Sequence, residues 1–386
     1  MRDAVICAAV RTPVGKRGGG LSGVHAVDLS AHVLQALAER SGLDPAVVDD
    51  VFWGCVSQVG EQTFNIGRNA PLAAGWPESV PGTTIDRQCG SSQQAVAFAA
   101  ATVISGQADV VVAGGVESMS RVPMGAARGD GSAGKPLGPR FLERYDGVYP
   151  NQGIGAEMIA ERWGFSRTQL DEFSLASHEK AAKAQADGAF DEEIAPVTTP
   201  EGTVVSADEG IRPGGTLEKL ASLKTPFKED GVISAGNASQ ISDGAAALLV
   251  TTSAKARELG LTPIVRIHTT VMAGDDPVIM LTAPIPATQK VLARSGLSID
   301  QIGLYEVNEA FAPVPLAWLA DLGADAGRLN PRGGAIALGH PLGGSGARIM
   351  TTLIHQMRAG GIRYGLQTMC EGGGMANATV LELLDA

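Results

Sequence analysis

The sequence predicts an α/β chain built from two related halves, and three observations carry that reading. Apolar runs such as VVVAGG (110–115) alternate with Ala-rich stretches of helical spacing, the pattern of strands separated by packed helices. Glycines stand where those helices would stop and the chain would turn. Third, Ala95–Ser105, Gly106 and DVVVAGG match Ala347–Ala359, Gly360 and RYGLQTMCEGGG in kind: a helix, a glycine stop, an apolar strand and a glycine-rich turn. The alternation predicts a mostly parallel sheet covered on both faces, and the repetition fits two α/β halves fused face to face.

Taken in order, Asp3 to Ala9 reads as a buried strand and RTPVGKRGGGLSG as the loop after it. Lys16 precedes the glycines and no GK[ST] follows, which rules out a phosphate loop. Asp28 can cap a helix reaching Arg40, with Leu29, Val33, Leu34 and Leu37 in helical spacing and Gly42 as its stop. Val51 to Gln58 is strand-like. Val80 to Ile85 is a β-branched run ending in a polar corner, and Cys89 follows it. Gly90, Ser91 and Ser92 then open a helix rich in Ala, Val and Ile that Gly106 closes. From Met119 to about Gln240 the chain is richer in Pro, Gly and charge. Helices over Gly155–Trp163 and Thr168–Ala186 precede strand fragments there, and the stretch reads as an inserted subdomain suited to ligand contacts. The buried pattern resumes at Ala245. Pro263 to Val271 is a strand, Pro286 to Arg294 a helix closed by Gly296, Ile302 to Val307 a strand and Glu309 to Leu322 a helix. The last long apolar strand ends at Cys370. The expected organisation is an N-terminal half over 1–118, completed by about 241–262, an insert over 119–240 and a C-terminal half over 263–386.

A net charge of −11 argues against nucleic acid and anionic membranes as main partners. A local basic patch (Arg121, Arg128, Lys135, Arg140 and Arg144 against Asp130 and Glu143) still suits an anionic small ligand. Cys7, Cys55, Cys89 and Cys370 lie far apart, without a CxxC or Cys/His ligand spacing, so free thiols in a reducing compartment and no metal are expected. No secretory leader and no apolar run near the ~18 residues of a membrane span is read, which makes the cytoplasm the default location.

Cys89 is the first candidate for chemistry. Strand, tight turn, cysteine and helix is how a nucleophile is presented, and the positive end of a helix lowers a thiol's pKa toward neutrality. The competing reading is a small buried hydrophobe. Three further clusters fall where strands of an α/β sheet finish, the usual place for an active site: Asn308-Glu309-Ala310-Phe311-Ala312, Gly339-His340-Pro341-Leu342-Gly343-Gly344-Ser345-Gly346, and Cys370-Glu371-Gly372-Gly373-Gly374. Singly, Asn308 reads as a helix cap, His340 as a turn histidine and Cys370 as a core residue. Their joint position at strand ends favours function.

From end to end the chain resembles the thiolase family, which makes or cleaves 3-ketoacyl-CoA. RTPVGK, the Cys89 segment, AGGVESMSR (Ala113–Arg121), GNAS (Gly236–Ser239), NEAFA, GGAIALGHPLGGSGAR and CEGGG occur in the family's order. The resemblance implies a layered αβαβα core of two halves with an inserted loop subdomain. It implies a ping-pong reaction in which Cys89 accepts the acyl group and His340 takes the Cys89 proton. Cys370 protonates the departing enolate of acetyl-CoA and then deprotonates the incoming CoA. Neutral donors aimed at the enolate oxygen must stabilise it. By resemblance they are His340 with a water held by Asn308, and the backbone N–H groups of Cys89 and Gly372. Arg212, Phe227 and Ser239 match the family's CoA contacts, and Met280 and Phe311 would line the acyl or pantetheine region. CoA is thus a substrate, with no bound cofactor, and a homodimer or homotetramer is implied. Asp86, Ser92, Gln240, Asn151-Gln152, Glu371 and Arg332 depart from common family residues. The replacement of His-Met-Gly by Asn151-Gln152-Gly153 favours a degradative or broad 3-ketoacyl-CoA thiolase over a strict acetoacetyl-CoA enzyme. The alternatives are another condensing enzyme of the superfamily or a non-catalytic acyl-CoA-binding protein.

Overall fold

The computed structural model describes residues 2–384; Met1, Asp385 and Ala386, at the outer ends of the two halves read from the sequence, lie outside them. The first half sets β1 (Val5–Arg11), α1 (Ala26–Ser41), β2 (Asp50–Gly54), α2 (Ile66–Ala73), β3 (Thr83–Ile85), α3 (Ser91–Ser105) and β4 (Val110–Ser118) in sequence. Helix α1 begins before Asp28. Its cap is His25, whose ring nitrogen accepts from Val27 N at 3.2 Å, while Asp28 lies in the first turn, facing the positive end of the dipole. Residues 119–240 contribute α4 (Gln152–Trp163) and α5 (Arg167–Ala186), the latter opened by a reciprocal cap between Ser166 and Gln169. The chain then returns to the sheet as β5 (Ser242–Thr251). The second half follows with β6 (Val265–Gly274), α6 (Pro284–Ser295), β7 (Leu304–Val307), α7 (Pro313–Leu322), α8 (Ser345–Gly360), β8 (Tyr364–Glu371) and β9 (Met375–Leu383).

The strands lie in the order β7-β8-β9-β6-β1-β5-β4-β2-β3. Only Val5 with Arg266 and Ile6 with Val265 join β1 to β6, so each half keeps its own sheet and the two meet at a corner. The sheet is mixed, not mostly parallel. Strands β2, β3 and β4 are parallel, as are β7 and β8, but β5 enters antiparallel between β1 and β4, and β9 runs back antiparallel between β8 and β6. Two features of the sequence produced the difference. The insert delivers β5 from the far end of β4, and the glycines after Glu371 make a hairpin rather than a terminus. Gly373 (φ 85°) and Gly374 (φ 75°) supply the left-handed residues this turn requires.

Period-two alternation assigns the two faces of each sheet. In β4, Val110 and Val112 pack outward with Leu29, Val33, Leu37 and Ile66 of α1 and α2, whereas Val111 and Ala113 face inward. In the second half Val307, Leu366 and Val380 pack outward with Ile285, Val291, Val314 and Trp318 of α6 and α7. Between the sheets lie α3 and α8, through Ala95, Val96, Ala99, Val103, Ala347, Met350 and Leu353. The result is five layers, αβαβα, as expected. Each fully buried Val, Leu or Ile contributes on the order of 1.5–3 kcal/mol. The middle layer is made of small residues because two sheets press on it; a Cβ on Gly346 of α8 would overlap Gln93 of α3. Among the described residues no helix is long and apolar enough to cross a membrane.

Candidate active site

The turn between β3 and α3 is closed by its own polar atoms. Gln88 N donates to Asp86 Oδ1 at 2.7 Å, Arg87 N to Ser91 Oγ at 2.9 Å, and Ser91 Oγ to the Gln88 carbonyl at 2.5 Å. This forces Gln88 to φ 48°, a left-handed conformation that is uncommon outside glycine. Cys89 follows, immediately before the helix cap Gly90, packed with Met119, Leu342, Ile349 and Met369. The thiol is not activated by its position, contrary to the expectation from sequence. With 4% of the residue exposed, burial pushes Cys89 up to about 12, and Glu371, Glu117 and Asp86 push the same way. A backbone N–H at Cys89 lowers it, and burial outweighs that.

Cys370, near the end of β8, is brought against this turn. A Cβ on Gly90 would overlap the Glu371 carboxylate, and one on Gly372 would stand 2.9 Å from Gln88 Oε1. The two chain neighbours of Cys89, Gly90 and Gln88, therefore lie against Glu371 and Gly372, the two residues that follow Cys370. Burial, reinforced by the facing Cys89 sulfur, raises the Cys370 thiol well above its usual range. Both cysteines rest as thiols.

His340 sits in the loop opening α8, its N–H donating to Ser242 Oγ at 3.0 Å. Ser345 Oγ donates to the Pro341 carbonyl at 2.8 Å and lies 2.6 Å from His340 Nδ1. With its one proton committed, the hydroxyl accepts from Nδ1–H, which leaves Nε2 bare. Asn308 Nδ2 stands 3.5 Å from that Nε2. Burial, aided by the Arg348 charge, lowers His340 to about 3, so the ring is neutral. Asn308 N donates to Thr368 O at 3.1 Å, which fixes it beside β8. Its Oδ1 is buried with no partner, a free acceptor of the kind that holds a water.

Several functional supports escaped the sequence reading. Glu117 accepts from Val56 N, Ser57 N, Gly343 N and Gln62 Nε2 at 2.7–3.0 Å, tying the histidine loop to the end of β4. Glu309 accepts from Ser177 Oγ, Asn330 Nδ2 and Ile336 N, which anchors the approach to His340. Acidic residues inside otherwise apolar strand ends (GGVES, VNEAF) were the available signal, since a buried carboxylate needs several donors. Ser92 donates nothing catalytic; its Oγ accepts from Ala347 N at 2.9 Å and joins α3 to α8.

Of the CoA candidates, Met280 and Phe311 lie in the same buried cluster as Cys370, and Phe227 packs against it. Phe227 and Phe311 meet edge to face with centroids 6.2 Å apart, and Ser239 N donates to Ala310 O at 2.9 Å. Met280 is buried in the same cluster as Phe311, with a left-handed φ of 64°. Exposed Arg212 lies at the outer end, its guanidinium on Gln240 Oε1 at 3.1 Å. Gln240 Nε2 in turn donates to the carbonyls of Gly210, Ile336 and Ala337, so the departure from glycine braces the arginine's loop. Among the described residues no group of three or more His, Cys, Asp or Glu is placed to hold a metal.

Comparison with known proteins gives one consistent result. The family model described as thiolase, N-terminal domain, matches residues 4–254, and that of thiolase, C-terminal domain, matches 261–383. The chain is 50% identical to a steroid 3-ketoacyl-CoA thiolase of Mycobacterium tuberculosis, over 100% of this chain and 95% of that protein. It is 46% identical to a beta-ketoadipyl-CoA thiolase of Escherichia coli, over 99% and 100%. The crystal structure of the Bacillus anthracis acetyl-CoA acetyltransferase superposes with a TM-score of 0.92 at 40% identity, covering 100% and 99% of the two chains.

Proposed function

We propose, because this chain belongs to the thiolase family of acyltransferases, that Cys89, His340 and Cys370 carry its acyl transfer between a 3-ketoacyl-CoA and CoA. What supports these roles is that the two buried thiols bear on one another, and that Cys89 packs against Leu342 of the loop carrying His340, a neutral imidazole with a bare Nε2. A thiol at about 12 and an imidazole at about 3 are both neutral at rest. Proton transfer from Cys89 Sγ to His340 Nε2 therefore accompanies attack on the 3-keto carbon and does not precede it. Cleavage of the carbon–carbon bond leaves acetyl-CoA as its enolate, and an enolate is basic enough to take a proton from a thiol as weak an acid as Cys370. The second CoA thiol gives its proton to Cys370 and takes the acyl group from Cys89. His340, carrying on Nε2 the proton taken from Cys89 and returning it when Cys89 departs as a thiolate, a water on Asn308 Oδ1, and the N–H groups of Cys89 and Gly372 are the donors for the developing oxyanions; losing one such donor costs ~10²–10³ in rate.

The two thiolases it matches at 46–50% identity are named for steroid 3-ketoacyl-CoA and beta-ketoadipyl-CoA, and Asn151 here spends its side chain capping α4 through Gly153 N and Ile154 N. Both favour a degradative or broad 3-ketoacyl-CoA thiolase. Purified protein given CoA with acetoacetyl-CoA or longer 3-ketoacyl-CoA esters is expected to consume the magnesium–enolate absorbance, with the highest kcat/KM on an ester longer than acetoacetyl-CoA. Cys370→Ser should lose thiolysis by ~10²–10⁴ through its acid–base step while still forming the acyl-enzyme. A fully active Cys370→Ser variant would favour a condensing relative that does not use this sulfur.

The chain works in the cytoplasm, as its four separate free cysteines suggest. It assembles as a homodimer or homotetramer: β3 ends the sheet with one edge unpaired, beside Phe64 (87% exposed) and Leu72 (40%) on the α2 side. Sedimentation should return a mass two or four times that of the chain, and a monomer would refute this.

A further inference from the structure

We infer that Asn377 is a positioning residue: its buried amide, donating to Gly90 O at 3.1 Å, sets the Cys89 turn against the β8–β9 hairpin that carries Cys370. The inference rests on the reading of Cys89 as the nucleophile. Asn377 is wholly buried on β9, and the alternation of that strand settles where it points. Ala376, Ala378 and Val380 pack in the outer cluster of the second sheet, whereas Asn377 and Thr379 reach α3, at Gly90 O and Gln93 Nε2. Two contacts hold the residue in place. It pairs with Met369, which packs in the Cys89 cluster, and its own carbonyl accepts from Thr368 Oγ1 at 2.8 Å. The orientation of the amide follows from its partner. A carbonyl only accepts, so Nδ2 and not Oδ1 faces it.

The turn alone does not fix this placement. Its own hydrogen bonds, from Gln88 N to Asp86, Arg87 N to Ser91, Gly90 N to Arg87 O and Ser91 N to Gln88 O, all stay within residues 86–91. They set its shape and leave its distance from the second half open. Among the described residues, the Asn377 bond is the one hydrogen bond from the second half to the backbone of 86–91. Gly90 O also takes Gln94 N at 2.8 Å, the first bond of α3, so Asn377 fills its second lone pair and grips turn and helix together. The glycine is what lets the amide in. A Cβ at residue 90 would overlap the Glu371 carboxylate and stand 2.7 Å from Asn377 Nδ2. Cys89 precedes Gly90, and both its sulfur and its N–H depend on where this turn lies relative to Cys370 and Gly372. A displacement of ~1 Å in such a group costs up to about 10²-fold in rate.

The test compares kcat and KM for thiolysis in three variants, with urea denaturation of each. Asn377→Leu keeps the volume without a donor and Asn377→Ala removes both, so a loss common to the two belongs to the hydrogen bond. Each should lower kcat by about 10–100-fold and leave KM for the 3-ketoacyl-CoA and for CoA within about twofold. Asn377→Asp is the rescue. Burial and the facing Glu371 both keep a carboxyl at residue 377 protonated at about pH 6, with Arg87, 3.8 Å from Glu371 Oε2, as the opposing charge. Its O–H then donates to Gly90 O in the amide's place, and kcat at that pH should lie within about threefold of the wild type. A merely structural role would lower the urea midpoint and would not separate Asn377→Asp from Asn377→Leu in kcat. Apolar variants within about twofold of the wild-type kcat, a loss confined to KM, or Asn377→Asp no faster than Asn377→Leu at about pH 6 overturns the inference. The nucleophile reading fails separately: wild-type protein given acetoacetyl-CoA without free CoA must carry an acetyl group on its Cys89 peptide, and an unmodified peptide would end that reading whatever the variants do.

Discussion

Cys89→Ala is expected to abolish thiolysis, by ~10⁴-fold or more, while changing the stability of the fold by about 1 kcal/mol at most. The size of the first effect follows from the chemistry. Without the sulfur there is no acyl-enzyme, so the carbon–carbon cleavage and the transfer to CoA lose the covalent route that divides them into two easier steps. The donors around the oxyanion remain in Cys89→Ala, since the residue-89 N–H, Gly372 and Asn308 are untouched; any residual rate measures what they do alone. The small stability effect follows from packing. Cys89 contributes one sulfur to a cluster of five apolar side chains and makes no side-chain hydrogen bond that alanine would orphan. Turnover with acetoacetyl-CoA, intact-protein mass after exposure to acyl-CoA without free CoA, and urea denaturation together check the prediction. A variant within tenfold of the wild type, or one that still gains an acyl mass, would put the nucleophile elsewhere.

The same residues show how much could be read from the sequence and where reading stopped. Helix ends with left-handed glycines, Gly42, Gly106 and Gly296, were placed correctly because a glycine past a run of helical spacing has a local cause. The strand direction of β5 had no local cause; it depends on where 122 residues of insert return the chain (119–240), which no period in the sequence records. β9 was missed for a related reason, since three glycines look alike as a terminus and as a hairpin. At the site, the types and order of Cys89, Asn308, His340 and Cys370 were legible as motifs. Their ionisation was not. The Cys89 thiol is raised by burial first and then by Glu371, 282 positions away in the chain (371 − 89), a neighbour that no local pattern records.

Arg11→Met is expected to cost about 3–5 kcal/mol of folding stability. The guanidinium is wholly buried at the end of β1. Nε donates to Glu193 Oε1 at 2.6 Å, Nη1 and Nη2 donate to Asp208 at 2.7 and 2.9 Å, and the Phe190 ring lies 5.1 Å away. Methionine fills much of the volume but leaves Asp208 and Glu193 in a water-poor interior without this charge, Glu193 keeping only Arg332 at 3.9 Å. The backbone would hold the insert in place regardless, through Arg11 N to Glu193 O at 2.9 Å and Ala195 N to Arg11 O at 2.7 Å, so the loss isolates the charge rather than the connection. A surface pair of similar length supplies the control. Arg121 donates to both oxygens of Glu61 at 2.5 and 2.6 Å, yet each side chain is about one-third exposed, and Arg121→Met should cost about 0–1 kcal/mol. Equal bond lengths with unequal losses would show that burial, not distance, decides what an ion pair contributes here. Urea denaturation of both variants checks this, and Arg11→Met within 1 kcal/mol of the wild type would refute it. Replacing Arg11, Glu193 and Asp208 together by apolar residues of similar volume should recover only part of the loss, because the stranded carboxylates are gone but Arg348 and Arg332 lose the attraction of Glu193 and Asp208.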